Sequence, residues 1–215
     1  MGRVAGVTAT ETREGLLLAA AEAFARQGYD GTRVADIAKL AGVSNGALYA
    51  HFDSKAALLV AALRTHGRRL LADLFAADPA RPVVELLLVI GRRLPHRLDP
   101  RGDLLVEALA AARRDEEVAR PMRDYVGERI GSLGQLMRTA QDRGELDQAV
   151  SAEALAHFCF LLSMGSALVG PDLHVVDEHE WDALLTRLMA AMAPPGSVTR
   201  AADASPAQAQ EEEPR

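Results

Sequence analysis

A chain of 215 residues with a net charge of −6, one cysteine and 4% aromatic residues is long enough for one or two domains with a buried core. The single cysteine excludes an internal disulfide and fits a cytoplasmic location. Ala and Leu abound and no run of alternating β-branched residues occurs, so we predict an all-α fold of about nine helices. The most apolar run, residues 158–170, is too short to span a bilayer, and the N-terminus lacks a signal-peptide core. We therefore expect no membrane partner.

The chain begins with a segment that we predict to be a flexible arm, residues 1–9, because free termini are usually disordered. The first helix should follow at about residues 10–27. Thr8 and Glu11 have the spacing of a capping box at its start. Gly28 can terminate it, since glycine adopts the left-handed conformation of a helix end at little cost.

The segment after this helix contains the most informative pattern in the chain. Thr32 follows a turn dipeptide and is a favoured N-cap, and apolar residues then recur at helical spacing up to position 41. Gly42 stands where a helix can end in a left-handed residue. Either Ser44 or Asn45 can cap the short helix that comes next. Two helices joined by a glycine-containing turn form a helix-turn-helix, whose second helix enters a DNA major groove.

The same segment resembles the DNA-binding signature of the TetR family of bacterial repressors. It reads D-I-A-K-L-A-G-V-S-N-G-A-L-Y-A-H-F-D-S-K-A-A-L, and the family pattern is D-I-A-x-x-A-G-V-S-x-G-x-[LI]-Y-x-H-F-x-[SN]-K-x-x-L. Asn45 stands where Lys or Gln is frequent, and Ala50 where a second aromatic residue is frequent. Both departures concern the operator sequence that would be read.

The resemblance implies two domains. The first is a three-helix DNA-binding domain with a connecting fourth helix, residues 10–75, and the second is a helical ligand-binding and dimerisation domain, residues 82–193. The charge distribution agrees, because residues 1–75 hold 9 Lys and Arg against 7 Asp and Glu, whereas residues 76–215 hold 15 against 23. The more positive part therefore contains the helix-turn-helix.

DNA binding requires contacts to phosphates and contacts to bases. The resemblance assigns the tyrosine, histidine and lysine of the Y-x-H-F…K pattern to the phosphate backbone. Packing remains an alternative role for Tyr49, carbonyl contact for His51 and capping for Asn45, and the N-terminal arm can be read as a minor-groove element. The candidate phosphate contacts are Thr32, Arg33, Tyr49, His51 and Lys55, and the candidate base contacts are Ser44, Asn45, Gly46 and Ala47.

The fourth helix is predicted at residues 54–75, roughly 30 Å long. Prolines after it mark the domain boundary, and five more helices follow. They are expected at about residues 83–94, 103–114, 121–143, 152–169 and 178–192.

A ligand pocket is the second half of the family interpretation. Gly127, Gly131 and Gly134 share one face of their helix, where each costs about 1 kcal/mol relative to Ala; they indicate close helix contact or room for a ligand. Because polar groups are few (Arg92, Arg93, His96, Glu107 and His157), we expect a small hydrophobic ligand. The predicted wall consists of Leu87, Leu88, Leu105, Leu109, Met122, Tyr125, Val126, Phe158 and Met164.

The last two helices carry enough apolar surface to form a subunit interface, although a monomer core is the alternative interpretation. In the family resembled here, these helices form a four-helix bundle between two copies. The predicted interface consists of Phe160, Leu161, Leu168, Trp181, Leu184, Leu185, Leu188 and Met192.

Enzyme chemistry finds little support in the sequence. Cys159 lies in an apolar run, which favours a buried, inert thiol. His174 and His179 flank acidic residues without the spacing of a metal site, so we expect no metal and no cofactor. Residues 194–215 are too polar to fold alone. We predict a homodimeric repressor that binds a palindromic double-stranded operator and is released by a lipophilic effector. The alternatives are an activator, or a small-molecule-binding protein or enzyme with a vestigial helix-turn-helix.

Overall fold

The computed structural model describes residues 8–66, 70–96, 100–169 and 173–195, and within these ranges the regular structure is entirely helical. This confirms the all-α prediction. Most of the predicted arm and of the C-terminal tail lies outside the described residues. The helices are α1 Ala9–Gly31, α2 Val34–Leu40, α3 Asn45–Tyr49, α4 Lys55–His66, α5 Leu70–Ala77, α6 Val83–Arg93, α7 Pro100–Ala112, α8 Glu116–Asp142, α9 Ala152–Leu168 and α10 Glu178–Ala191, with a 3₁₀ turn at Leu94–His96.

Residues 54–75 were expected to form one helix. The structure describes α4 and α5 on either side of residues 67–69, which lie outside the described residues. None of the described helices combines the length and the apolar composition needed to cross a bilayer.

The start and the end of α1 follow the sequence signals. Thr8 Oγ1 accepts from the backbone N–H of Glu11 at 3.2 Å, and the Glu11 carboxylate accepts from the backbone N–H of Thr8 at 2.7 Å. This confirms the capping box. Gly28 has φ 72°, which interrupts the regular helix, and a final helical turn then continues to Gly31.

The larger of two hydrophobic cores joins the N-terminal helices to α7 and α8. Apolar side chains of α1, α2, α3 and α4 pack there against residues of the C-terminal part of the chain. The helix-turn-helix is thus braced along α1 and α4 by two helices of the other predicted domain. The fully buried residues of this larger core include Leu16, Phe24, Ile37, Leu48, Leu58, Leu63, Ala108, Met122 and Tyr125.

The second core lies farther from the helix-turn-helix, between the start of α6, the C-terminal half of α8 and the start of α9. Beside it, α10 packs on α6. The Trp181 indole N–H donates to the Gly91 carbonyl at 2.9 Å, and Leu185 contacts the backbone of the same glycine so closely that an added Cβ would lie 3.0 Å from Leu185 Cδ1.

The glycines of α8 do not share one explanation. Gly134 is buried, and an added Cβ would lie 4.0 Å from the Cβ of Ala156 on α9, which is the close helix contact predicted for it. Gly127 and Gly131 are exposed, with no atom within 4 Å of an added Cβ. The prediction that packing or ligand space requires all three is wrong for these two.

Candidate DNA-binding surface and ligand cavity

The turn between α2 and α3 is fixed by backbone geometry. Gly42 has φ 71°, the left-handed conformation predicted from the sequence. The N–H of Val43 donates to the Ala38 carbonyl at 2.9 Å, which closes the end of α2. Ile37 and Leu48 are fully buried and join the two short helices to the core. The angle between α2 and α3 is therefore set by the turn and by packing on α1 and α4.

Ser44 is the N-cap of α3. Its hydroxyl oxygen accepts from the N–H of Ala47 at 3.2 Å. This decides between the two caps that the sequence left open, because Asn45 becomes the first residue of the helix and its side chain is exposed. The Asn45 amide thus has no capping role and remains available for a base contact.

The exposed face of α3 is small. Asn45, Gly46 and Tyr49 are exposed, together with Ala50 at the helix end, whereas Ala47 is half-buried. An added Cβ at Gly46 would meet only the Ser44 hydroxyl oxygen, at 3.9 Å. Internal packing therefore does not require glycine at position 46. The side chain of Tyr49 is 53% exposed, so it is accessible to a phosphate.

Thr32 does not have the role predicted for it. It is 1% exposed, and its hydroxyl donates to the carbonyls of Gly28 at 2.6 Å and Ala23 at 3.2 Å. It closes the C-terminus of α1, and Arg33 is the N-cap residue of α2, without a side-chain cap bond. The predictions of an N-cap and of a phosphate contact at Thr32 are both wrong, because the side chain is buried and used internally. Arg33 itself is exposed.

Lys55 is the first residue of α4, and its ammonium has structural contacts. Nζ donates to the Thr32 carbonyl at 3.0 Å and lies 4.2 Å from the centroid of the Tyr29 ring. An ammonium has three donors, so a phosphate contact remains compatible with this bond. The sequence signature did not indicate this second role.

His51 lies just after the end of α3, and Arg13, which the sequence did not indicate as part of the site, lies close to this helix end. The His51 side chain is half-buried, with its ring centroid 6.4 Å from that of Phe52. The Arg13 guanidinium of α1 stacks over Phe52 at 5.1 Å from the ring centroid. Arg13 thus brings a cation next to the predicted phosphate contacts. Its position on a different helix, outside the motif, gave no signal in the sequence.

A cavity of about 470 Å³ lies between α6, α8, α9 and α10, and Leu105 of α7 also lines it. Its described lining is apolar apart from Arg129, Cys159 and Ser163. Burial raises the pKa of the Cys159 thiol to about 11, which keeps it protonated at neutral pH. The principal lining side chains are Leu87, Ile90, Leu94, Leu105, Leu133, Phe158, Phe160, Leu162, Met164, Leu185, Leu188 and Met189.

The predicted ligand wall is correct in part. Leu105, Phe158 and Met164 line the cavity, as does Leu87, whereas Leu88 does not. Four residues were wrongly assigned to the wall and belong to the larger core instead. The end of α7 and the N-terminal half of α8, which carry them, pack towards α1 and α4 and not around the cavity. These four residues are Leu109, Met122, Tyr125 and Val126.

The predicted polar groups do not line the cavity. Glu107 accepts from the backbone N–H of Tyr29, and Arg92 forms an ion pair with Asp182. Arg93 and His157 are exposed, and the side chain of His96 lies outside the described residues.

The predicted dimer surface divides into two groups. Leu161, Leu168 and Leu184 are 55%, 61% and 49% exposed, and Leu188 is exposed as well, so they are accessible to a second copy. Phe160 and Leu185 are 9% and 7% exposed and belong to the interior of the chain, which makes their assignment to an interface wrong. Trp181 bonds to α6, and Met192 packs against the second core; both are committed to internal contacts.

The histidines near the start of α10 have no metal-site geometry. Asp177 caps this helix, since its carboxylate accepts from the N–H groups of His179 at 2.9 Å and Glu180 at 3.0 Å. Among the described residues, no group of three metal-binding side chains comes together.

Comparison with known proteins agrees with this architecture. Residues 16–62 match the model of bacterial regulatory proteins of the tetR family, and residues 83–188 match that of the tetracyclin repressor-like C-terminal domain. The HTH-type transcriptional regulator UidR of Escherichia coli strain K12 is 28% identical over 157 residues, which covers 73% of this chain and 80% of UidR. The HTH-type transcriptional repressor BepR of Brucella suis biovar 1 is 29% identical over 190 residues, which covers 77% of this chain and 82% of BepR.

A solved structure shows the same fold. The crystal structure of a TetR-family transcriptional regulator from Rhodococcus sp. aligns with a TM-score of 0.72 at 23% identity, over 86% of this chain and 99% of that one. The match of the two family models covers both the helix-turn-helix and the helices around the cavity. This chain therefore belongs to the TetR family of bacterial regulatory proteins, and it is a transcriptional regulator that binds DNA through its helix-turn-helix.

Proposed function

We propose that the protein is a ligand-responsive repressor that binds a palindromic operator as a homodimer and is released by a small lipophilic effector. The proposal assigns DNA binding to residues 10–75 and effector binding and dimerisation to residues 82–193. Because a regulator must reach its operator DNA inside the cell, the proposal also includes a cytoplasmic location. The observation that carries the proposal is the pairing, in one chain, of an exposed recognition helix with an apolar cavity.

Operator recognition depends on α3 and its surroundings. Bases are contacted from the start of α3, where the Asn45 amide can bond adenine in a bidentate manner and Gly46 allows the backbone to approach. The short side chains on this face imply that phosphate contacts and DNA shape supply much of the affinity. The proposed phosphate contacts are Arg33, Tyr49, His51 and Lys55, and the proposed base contacts are Ser44, Asn45, Gly46 and Ala47.

The effector class follows from the cavity. Its volume of about 470 Å³ lies within the range of about 300–1,000 Å³ that small-molecule sites occupy. An apolar lining favours an apolar ligand, because burying polar groups without partners is costly. The two half-sites of an operator lie about 34 Å apart on DNA, so the two recognition helices of a dimer must have this spacing. An effector that prefers a form of the dimer with a different spacing would weaken operator binding.

Repression is favoured over activation by the BepR relative, a repressor by name. A reporter gene behind the bound promoter decides between the two, because a repressor lowers expression and an activator raises it. Loss of the regulator should raise expression if the proposal is correct.

The binding experiment uses labelled duplexes that cover the DNA flanking the protein's own coding region. Fluorescence anisotropy should show binding that weakens steeply with salt, because phosphate contacts release counterions. Binding of apolar compounds is followed by the fluorescence of Trp181, the only tryptophan in the chain, which contacts α6 beside the cavity. The absence of binding to every fragment at low salt would contradict the proposal.

A further inference from the structure

The end of α1 is held by a carboxylate from the helix that borders the cavity. At Gly28 the backbone leaves the helical conformation, so the N–H of Tyr29 cannot donate to the carbonyl four residues before it. This N–H donates instead to Glu107 Oε1 on α7 at 2.7 Å. An added Cβ at Gly28 would lie 3.0 Å from the same oxygen. The carboxylate therefore lies directly against the bend in α1.

The bend is connected to the helix-turn-helix by a short chain of contacts. The Tyr29 ring is buried and faces the Lys55 ammonium at 4.2 Å, and this ammonium donates to the Thr32 carbonyl at 3.0 Å. The Thr32 hydroxyl donates back to the Gly28 carbonyl at 2.6 Å. The next residue, Arg33, is the N-cap of α2. These contacts link Tyr29 to the start of α2 and of α4.

On its other side, α7 borders the cavity. Leu105 lines the cavity, and it precedes Glu107 by two residues. Two residues turn an α-helix by about 200°, so the two side chains project to nearly opposite sides of α7. Leu105 and Glu107 are thus carried by the same helix, one towards the cavity and one towards Tyr29.

We propose that Glu107 is a positioning residue for operator binding, through which the occupancy of the cavity acts on the helix-turn-helix. With the cavity empty, the carboxylate fixes the bend in α1 and keeps α2 and α3 oriented for DNA. When an occupant pushes α7, the bond to the Tyr29 N–H is lost and the population shifts to a form that binds DNA poorly. This inference rests on the proposed function.

An exposed ion pair between the same parts of the chain supplies the matched control. Arg114, just after α7, pairs with Asp30 at 2.9 Å, and the two side chains are 61% and 72% exposed. Exposed pairs contribute little to stability. Arg114→Ala therefore removes a link between the same segments without affecting the bond at Tyr29.

The test measures operator affinity by anisotropy, using the labelled duplex that the wild type binds. Glu107→Ala should weaken binding about tenfold, the scale of one lost charge-assisted hydrogen bond. Glu107→Gln keeps an acceptor oxygen and should stay within about threefold of the wild type, as should Arg114→Ala. Thermal unfolding shows whether each variant is folded. If Glu107→Ala is folded and binds DNA like the wild type, the inference is overturned.

A double-mutant cycle separates coupling from a general structural effect. Leu105→Phe enlarges the side chain on the cavity side of α7 and should weaken operator binding several-fold in the wild type. In the Glu107→Ala background it should have no further effect, because the link is already absent. No effect in the wild type, or equal effects in both backgrounds, would contradict the inference. If Leu105→Phe does not fold, the contrast between Glu107→Ala and Glu107→Gln decides. Failure of the wild type to bind any duplex would contradict the proposed function instead.

Discussion

At the scale of single residues, the proposed base contacts to the operator involve very few side-chain atoms. The exposed face of α3 begins with one amide side chain, Asn45, beside Gly46, and Tyr49 and Ala50 follow at the end of the helix. Ser44 uses its hydroxyl oxygen for the cap. In the proposed complex with DNA, the start of α3 would approach the groove floor closely, so the absence of a side chain at position 46 would itself serve binding.

We predict that Gly46→Ala separates stability from DNA binding. Its Cβ would meet only an oxygen at 3.9 Å, and Ala is favoured over Gly in a helix by up to about 1 kcal/mol, so the thermal midpoint should stay equal or rise. Operator affinity should fall about tenfold or more, because the new methyl group occupies the space of close approach. Thermal unfolding and anisotropy measure the two effects. An unchanged affinity would show that α3 does not approach the bases at this residue.

A second residue-scale prediction concerns alkaline pH. Burial, supported by the nearby Asp115 carboxylate, raises the pKa of Tyr29 to about 12, whereas an unfolded tyrosine titrates near pH 10. Between these values the unfolded state releases its proton first, so the stabilisation is complete below about pH 10 and is lost as the pH rises towards 12.

Urea unfolding at pH 9 and pH 11 tests this prediction. Tyr29→Phe should lose less free energy of unfolding between the two pH values than the wild type does. Tyr49→Phe replaces an exposed tyrosine and should behave like the wild type. Equal pH dependence in all three proteins would show that Tyr29 is not a source of the effect.

The residue-level predictions from the sequence succeeded where they depended on backbone conformation. Gly28, Gly42 and the capping box of α1 were predictable because their geometry is local. Thr32 was misassigned because its residue type suits both a helix cap and a phosphate contact, and only the position of α1 shows that its hydroxyl is buried. The contacts of Lys55 and Glu107 were unpredictable for the same reason, since each joins segments far apart in the chain.

At the scale of elements, α8 connects the two cores. The N-terminal half of this helix packs against α4 and α7 in the larger core, which includes Met122 and Tyr125. Its C-terminal half packs against α9 in the second core, which includes Met137 and Ala140. Hydrophobic periodicity identified the apolar stripe correctly, but a stripe does not specify which neighbour covers it. For this reason the predicted ligand wall included residues of the larger core.

One glycine within α8 and one just after its C-terminus give a prediction at the element scale. Gly131 is helical and exposed, and Gly144 follows the helix with φ 71°; both have no atom within 4 Å of an added Cβ. Gly131→Ala should raise the free energy of unfolding by about 1 kcal/mol, because Ala is the better helix former.

Gly144→Ala should lower the free energy of unfolding by about 1 kcal/mol, because the left-handed conformation is strained for Ala. For a chain of this length each change corresponds to a shift of about 2–4 °C in the midpoint of thermal unfolding. The same substitution thus has opposite signs at two open positions. A loss of stability in Gly131→Ala would indicate that this exposed face of α8 is covered by another molecule.

At the scale of the whole molecule, the cavity and the exposed apolar surface are adjacent. Phe158 and Leu188 line the cavity and are also exposed, beside Leu161 and Leu184. The sequence predicted an interface on these two helices, but it could not separate their outward faces from the faces that pack inward. To predict that Leu185 packs on Gly91, one must know how α10 and α6 are placed relative to each other. Helical periodicity does not give this information.

Because the exposed faces of α9 and α10 are distinct from the faces that pack inward, the proposed homodimer can be tested without disturbing the interior. The double variant Leu161→Glu, Leu184→Glu places charges on the exposed faces of α9 and α10, so it should remain helical by circular dichroism and become monomeric by light scattering. Its operator affinity should fall at least about a hundredfold, because the two half-sites are no longer bound by one particle.

Leu185→Glu is the matched comparison, because it puts a carboxylate into the interior between α10 and α6 and should lower the free energy of unfolding by several kcal/mol. The two variants differ in the face of the helix that they change, so they distinguish loss of assembly from loss of folding. If the double variant keeps the dimer mass and the operator affinity of the wild type, the exposed leucines do not form the interface, and two copies must associate through another surface.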